Sequence, residues 1–389
     1  MRIYLDHNAT TPVSPQVADA MVGALTDGFG NPSSVHYFGQ QAKTALDRAR
    51  GAVSRLIGAE PPEVVFTSGG TESDNLAIRG IADVAEHQGR KHLVVSAIEH
   101  EAVLSTAKAL ERRGWEVTRL AVDAAGYVRP GDLEAALRPD TALVSVMHAN
   151  NEIGTVQPIE ALASIAHAHR VPFHTDAVQT VGKLSIRVAD LGVDLLSLSA
   201  HKFHGPKGAG ALWIKRGTRL FATQTGGKQE RSRRAGTENV PGIVGLGVAA
   251  QLAVERLSHA ADITARRDRL EQGILSAVAD TVVNGGPGPR VPNTTNVSFA
   301  GVEAEALLIA LDMEGIAVST GAACSSGTLE PSHVLRAMGL TPHRVQSSLR
   351  FSLSHDTTDA EIDDVLRLLP SVVTRLRTLH RAGSRNGAA

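Results

Sequence analysis

The chain has 389 residues, 42% of them hydrophobic and 20% charged, with a net charge of −1. Such a chain can bury a large core in two or three domains, and its balance excludes disorder, a basic protein built to neutralise nucleic-acid phosphates, and an acidic solvating protein. A single cysteine, Cys324, excludes internal disulfides and a four-cysteine zinc site. The N-terminus has no apolar signal core, and no uninterrupted apolar run approaches about 18 residues, so a reducing, cytoplasmic setting without membrane contact is expected.

In chain order, β-rich runs at 63–67, 92–96, 141–147, 171–175, 194–198 and 209–214 read as strands. Between them lie helical stretches, exemplified by Ala42, Ala45, Leu46, Ala49, Val53 and Leu56, whose spacing puts them on one helix face. The alternation predicts an α/β domain around a mostly parallel sheet, whose continuous apolar strands are covered on both faces. After about residue 240 the pattern changes. A helical region at 240–279, broken near Ser258, leads to a Gly/Pro-rich joint at 284–290. A strand at 294–299, a helix at 303–314, a Gly/Ser-rich loop at 319–327, a strand at 348–353 and a helix at 358–379 follow. The expected division is a large domain of 14–255 and a small α+β domain of 1–13 and 256–389, with a frayed tail at 380–389 that lacks apolar anchors.

Four segments carry residue types suited to chemistry. TSGGTESDN at 67–75 places two glycines between a strand and a helix beginning near Glu72, an arrangement that exposes amides to an anion; alternatively it is a tight turn with Thr71 as helix cap. FHTDAVQ at 173–179 ends a strand on Asp176, at the sheet edge where ligands of open α/β sheets bind, although Asp176 also suits a helix cap. LSLSAHKFHGPKG at 196–208 puts Lys202 just past an apolar strand, where desolvation lowers an amine's pKa and makes it nucleophilic. Lys183 and Lys207 are its rivals among eight lysines. STGAACSSG at 319–327 surrounds Cys324 with small residues, which reads as an exposed, mobile loop bearing a usable thiol rather than a buried one. Histidine pairs 167/169 and 201/204 lack a carboxylate third ligand and an H-E-x-x-H motif, so no metal is expected. The basic cluster at 231–234 has no aromatic platform beside it, so nucleic acid is not an expected partner.

These segments, with YLDHNATT at 4–11, FGNPSSVH at 29–36, IEH at 98–100, MHANNE at 147–152, QERSRRAGT at 229–237, AACSSGTLEPSHV at 322–334 and LRFSL at 349–353, resemble cysteine desulfurases of the NifS/IscS type. These are pyridoxal-phosphate enzymes of aminotransferase class V, and the resemblance covers nearly the whole chain. It implies a fold-type I enzyme with a seven-stranded, mostly parallel sheet and a smaller C-terminal domain. It implies pyridoxal 5'-phosphate held as a Schiff base on Lys202, with Asp176 at the pyridinium nitrogen, Gln179 at the phenolate oxygen and His100 stacked on the ring. Gly70, Thr71, Ser199 and His201 would hold the phosphate, and Thr237 would reach the phosphate of the other subunit of a homodimer. Asn151 would serve cofactor and substrate, and Arg350 would grip the substrate carboxylate in bidentate fashion.

The implied reaction turns L-cysteine into L-alanine and leaves the sulfur on Cys324 as a persulfide. The sulfur would go to an acceptor protein such as an iron–sulfur scaffold, or into other thio-cofactors. Alternatives are another class V enzyme, such as a selenocysteine lyase or aminotransferase, or a non-enzymatic sulfur carrier. A nicotinamide dehydrogenase lacks its G-x-G-x-x-G here.

Overall fold

The computed structural model of the chain describes residues 2–321 and 331–386. Its strands are β1 (Ile3–Tyr4), β2 (Val64–Thr67), β3 (His92–Ser96), β4 (Glu116–Leu120), β5 (Thr141–Ser145), β6 (Phe173–Asp176), β7 (Leu195–Ser199), β8 (Gly210–Ile214), β9 (Thr281–Val283), β10 (Thr294–Phe299), β11 (Ile316–Ala317) and β12 (Ser348–Ser352). Seven form the central sheet in the order β2-β8-β7-β6-β5-β3-β4. Only β8 runs against its neighbours, so the sheet is mostly parallel, as the α/β reading expects.

Both faces of this sheet are covered. Helices Pro15–Thr26, Tyr37–Ile57, Ile159–Ala168 and Val240–Arg256 bury Val17, Leu46, Val53, Leu162 and Leu246 against one face. Helices Gly70–Glu86 and Glu101–Glu111 bury Leu76, Ile78, Val103 and Leu110 against the other. Burial on two sides explains why β5, β7 and β8 read as unbroken apolar runs. The seventh strand, β4, escaped the sequence reading. It lies at the sheet edge, and its Glu116 and Arg119 face solvent, so it lacks the apolar signal.

A separate core collects Ile3 and Leu5 with residues from 270 to 373. There β12-β10-β9 form an antiparallel sheet, β1 pairs in parallel with β11, and helices Ala260–Ala277, Ala304–Met313 and Asp359–Asn386 pack against them. The last helix runs on to Asn386, so residues 380–386, expected to fray, are helical, while 387–389 lie outside the described residues. The break near Ser258 is a turn of 3₁₀ helix at Leu257–His259. Contrary to the expectation of no apolar run of membrane length, Val240–Ala277 is long and apolar enough to cross a membrane; half of its most apolar 18-residue window is buried within the fold. Gly247 shows why its first helix is so lean: a Cβ there would lie 2.7 Å from Ala49 Cα.

One buried ion pair fastens the loop before that helix to the sheet. Arg50 meets both oxygens of Glu230 at 2.7 Å, and Glu230 also accepts the Phe66 amide of β2 at 2.9 Å. Their side chains are 8% and 2% exposed, so removing one partner strands a charge in low dielectric. Glu230→Ala should cost about 3–5 kcal/mol, read as a drop in the denaturation midpoint, and Arg50→Met in the same chain should recover part of it.

Candidate active site

The C-terminal ends of the parallel strands and the N-terminal segment enclose a cavity of about 290 Å³. Gly70, Thr71, His100, Asn151, Asp176, Gln179, Ser199, His201, Lys202 and Arg350 all line it, so ten of the sequence-predicted residues meet in one place. Thr237 does not; it is exposed and outside the cavity of this single chain. Cys324 lies outside the described residues, but Gly321, three positions before it, lines the cavity. Of the rival lysines, Lys207 is exposed and Lys183 sits behind Gln179.

One end of the cavity is built for an anion. The helix there begins at Gly70 rather than near Glu72, and its cap is Gly69, which has no side chain to satisfy the first amides. Thr71 is therefore in the first turn and is not the cap. Gly69 adopts φ 154° and ψ −174°, a conformation essentially confined to glycine. Glu72 is drawn away from the helix end, accepting from the Ser68 amide at 2.8 Å and from Arg234 Nε at 2.9 Å. Ser199 closes β7, and His201 follows in a 3₁₀ turn, where burial and then Lys202 and Lys207 push its imidazole down to about 4. The uncapped amides, the helix dipole and these hydroxyl and imidazole groups match a phosphate.

The opposite end is a set of buried charges. Asp176 ends β6 and accepts the Val178 amide at 2.8 Å. Burial raises its pKa, and His100 and Lys202 pull it back down. His100 caps helix Glu101–Glu111, its Nδ1 accepting from the Ala102 amide at 3.1 Å, which leaves the proton of the neutral ring on Nε2. Burial lowers the pKa of this imidazole. Lys202 Nζ donates to the carbonyls of Asn8 at 2.6 Å and Ala9 at 2.8 Å. Gln179 donates to the Asn8 carbonyl at 3.1 Å and accepts from Lys183 at 2.8 Å, so the orientation of its amide is settled. Arg350 is 3% exposed, gives Nη1 to the Asn151 carbonyl at 2.9 Å and Nη2 to Asp6 at 2.6 Å, and among the described residues its buried Nε has no hydrogen-bond partner.

Sequence reasoning missed Asn8, Asp74 and Glu99. Asn8 was quoted within a motif, but its role depends on partners more than 140 residues away. Asp74 lines the cavity and is 1% exposed; among the described residues its Oδ1 accepts no hydrogen bond, its nearest charged partner being His174 Nε2 at 3.6 Å. Burial, then repulsion from Asp176, raises its pKa well above the carboxylate range. Glu99 accepts the Met147 amide at 2.7 Å and is pushed up to about 8, chiefly by burial. The Asp74 and Asp176 carboxyls, the uncapped helix end and Lys202, all lining one cavity, fit pyridoxal phosphate: a ring nitrogen able to hold a proton, a phosphate and an aldehyde.

This fold and this site define a class. The chain belongs to the aminotransferase class-V family, whose model matches residues 3–365. It is 52% identical over 377 residues to cysteine desulfurase 2 of Trichormus variabilis, covering 97% of this chain and 94% of that one. A solved NifS-like protein superposes with TM-score 0.91 at 38% identity, covering 97% of this chain and all of that chain. A structure described as SspA in complex with cysteine superposes with TM-score 0.80 at 38% identity, covering 91% and 99%.

Because its pKa in the folded chain exceeds the ordinary value of 4.5, Glu99 keeps its proton there while the unfolded chain releases it. Its contribution to stability is full below about pH 4.5 and is lost as pH rises to about 8. Glu99→Gln should therefore gain stability relative to the parent as pH rises from 5 to 8, by up to about 1.4 kcal/mol per unit, in urea unfolding of the cofactor-free chain.

Proposed function

We propose that this chain is a pyridoxal-phosphate-dependent cysteine desulfurase, converting L-cysteine to L-alanine and storing the sulfur as a persulfide on Cys324. One observation carries the reading. A single cavity joins an anion-binding helix end, the Asp176–Lys202–His100 group and the buried Arg350, and the segment holding the only cysteine begins at its wall. A sulfur carrier needs the thiol and none of the rest, and an aminotransferase needs the rest and no thiol.

Pyridoxal phosphate, when bound, supplies an electron sink for charge left at the substrate Cα. Gly70, Thr71, Ser199 and His201 would hold its phosphate, Asp176 would keep a proton at its ring nitrogen, Gln179 would donate to its phenolate oxygen, and His100 would lie against the ring. Lys202 would anchor the group and serve as the base for the substrate Cα proton. Arg350 and Asn151 orient the substrate carboxylate. The Cys324 thiolate then attacks the substrate sulfur. The S–S bond forms as the Cβ–S bond breaks, and its electron pair returns to the carbon skeleton, which is protonated to alanine.

The chain works as a homodimer. Phe29 and Phe38 stack at 5.1 Å while 67% and 47% exposed, beside Tyr37 at 70% and Val35 at 91%. So large an apolar patch is costly in water and suits a second copy. Thr237, outside its own cavity, is then available to the phosphate of that copy. The persulfide passes to an acceptor protein for iron–sulfur or other thio-cofactor assembly in the cytoplasm. A lone thiol that must remain reduced between turnovers supports that compartment.

Peptide mass mapping after incubation with L-cysteine should find one extra sulfur on the Cys324 peptide, abolished by Lys202→Ala. An unmodified Cys324 in cofactor-loaded protein would overturn the reading. Cys324→Ala should keep the cofactor and lose sulfur release. Arg350→Lys should raise KM for L-cysteine about 10- to 100-fold, since a bidentate charge-assisted contact worth about 1.5–3 kcal/mol is lost. Phe29→Glu combined with Phe38→Glu should convert dimer to monomer in sedimentation.

A further inference from the structure

We propose that an open cleft at the end of the central sheet remote from the candidate active site binds a polyphosphate, a ligand carrying two or more linked phosphate groups. The cleft measures about 460 Å³ and shares no lining residue with the cavity around Lys202. It lies where β6 and β7 begin and β8 ends, beside the C-terminal ends of helices Gly70–Glu86 and Ile159–Ala168. The strand ends that carry Asp176 and Ser199 are at the other edge of the sheet.

Its walls bring together Arg90, Arg170, Lys215, Arg216 and Arg219, from three stretches of a chain whose net charge is −1. Among the described residues one carboxylate lines the cleft, and it is already engaged: Asp194 accepts the Phe173 amide at 2.8 Å and lies 2.7 Å from His167 Nε2 and 3.6 Å from Lys215 Nζ. Arg90 donates to the Thr141 carbonyl at 3.1 Å and to Gln88 at 2.8 Å. Arg170, Arg216 and Arg219 are exposed, and among the described residues none of these three guanidiniums forms an ion pair. The plain alternative is that the cations answer the helix ends. Two helix C-termini supply about one negative charge between them, and Asp194 one more, which leaves a surplus of about three. Glu63, reaching the Arg216 amide at 3.1 Å from outside the cleft, lowers the surplus to about two. Asp83 and Glu86, on the same helix end, are balanced by Lys91 and Arg113.

Arg170 adds an independent observation. Helix Ile159–Ala168 ends in a Schellman turn, with the Val171 amide donating to the Ala166 carbonyl and the Arg170 amide to the His167 carbonyl, both at 2.9 Å. Arg170 holds φ 59°, the left-handed position at which glycine is usual. An arginine there costs stability, and the side chain it keeps forms part of the cleft wall. The chemistry of the wall points to the class of ligand. Four of the five cations are arginines, whose planar forks match the paired oxygens of phosphate. No Phe, Tyr or Trp lines the cleft, so a base finds no stacking platform and the phosphates carry the recognition. An acidic peptide is the rival occupant. Linked phosphates pack charge more densely than carboxylates spaced along a peptide, and a concave wall fed from three stretches of chain suits the compact ligand.

The test is isothermal titration calorimetry on cofactor-loaded protein in magnesium-free buffer, so that the phosphate cradle at Gly70 is filled. Sodium tripolyphosphate should bind saturably, and more weakly as sodium chloride is raised. Arg170→Gly and Arg219→Gln should each weaken it about 5-fold, the upper end for one solvent-exposed charge contact. Arg170→Gly should at the same time raise the thermal denaturation midpoint, a pairing of lower affinity with higher stability that a merely structural arginine does not give. ATP that binds no more tightly than tripolyphosphate assigns recognition to the phosphate chain alone, and ATP that binds more tightly assigns a nucleotide as the ligand. No saturable heat at millimolar tripolyphosphate, equal affinity in parent and both variants, or tighter binding by an oligoglutamate peptide than by tripolyphosphate would each overturn the proposal. None of these readouts depends on desulfurase turnover, so this site and the proposed reaction fail separately.

Discussion

Asn8 is the residue on which the geometry of the site hangs. Its carbonyl accepts Lys202 at 2.6 Å and Gln179 at 3.1 Å. Its side-chain oxygen accepts Lys183 at 2.8 Å and Asn293 at 3.0 Å, and its amide donates to the Asn151 carbonyl at 3.0 Å and Thr294 at 2.8 Å. Six partners drawn from four stretches of chain thus meet on one asparagine that is 1% exposed. A hydrophobic side chain there would leave several buried donors and acceptors unpaired, each costing about 1–3 kcal/mol. The strand order of the central sheet brings β6 and β7 side by side, and Asn8 then fixes the groups at their ends relative to the segment that crosses over them.

The electrostatics follow from that enclosure. Asp74, Asp176 and Glu99 are buried close enough to repel one another, so burial raises all three, and the carboxylate that has His100 and Lys202 beside it is the one favoured to ionise. Such an arrangement leaves buried carboxyls that a cationic group entering the pocket would pull towards ionisation. Lys202 meanwhile donates to two carbonyls, contacts that orient the amine.

Much of this was legible in the sequence because the relevant signals are local. Strands buried on two faces show as apolar runs, and Asp176 at the end of β6 and Lys202 just past the end of β7 line the cavity at that edge. The helix start at Gly70 was placed two residues late, since a glycine cap carries no side-chain signature. The edge strand β4 was missed because its exposed side chains look like those of a loop. Asn8, Asp74 and Glu99 were illegible for another reason. Their roles arise from packing against residues remote in sequence, and a buried asparagine or acid reads like an exposed one until the fold surrounds it.

The cavity is composite, and its composition assigns tasks to the two cores. The anion end and the Asp176–Lys202 pair belong to the large sheet, whereas Arg350 is carried on β12 of the small antiparallel sheet. Arg350 crosses the joint by donating to the Asn151 carbonyl, and its Nη2 is held by Asp6 next to β1. Glu152, the neighbour of Asn151, reinforces the same crossing. It accepts Ser332 Oγ at 2.5 Å, and a Cβ on Gly321 would lie 2.9 Å from its carboxylate. With φ 85° at Gly321, both the backbone conformation and the space exclude a side chain. The residues on either side of the 322–330 segment are thus set against one buried acid that follows Asn151 directly, so the cavity wall at Asn151 and both flanks of the segment containing Cys324 share a single anchor.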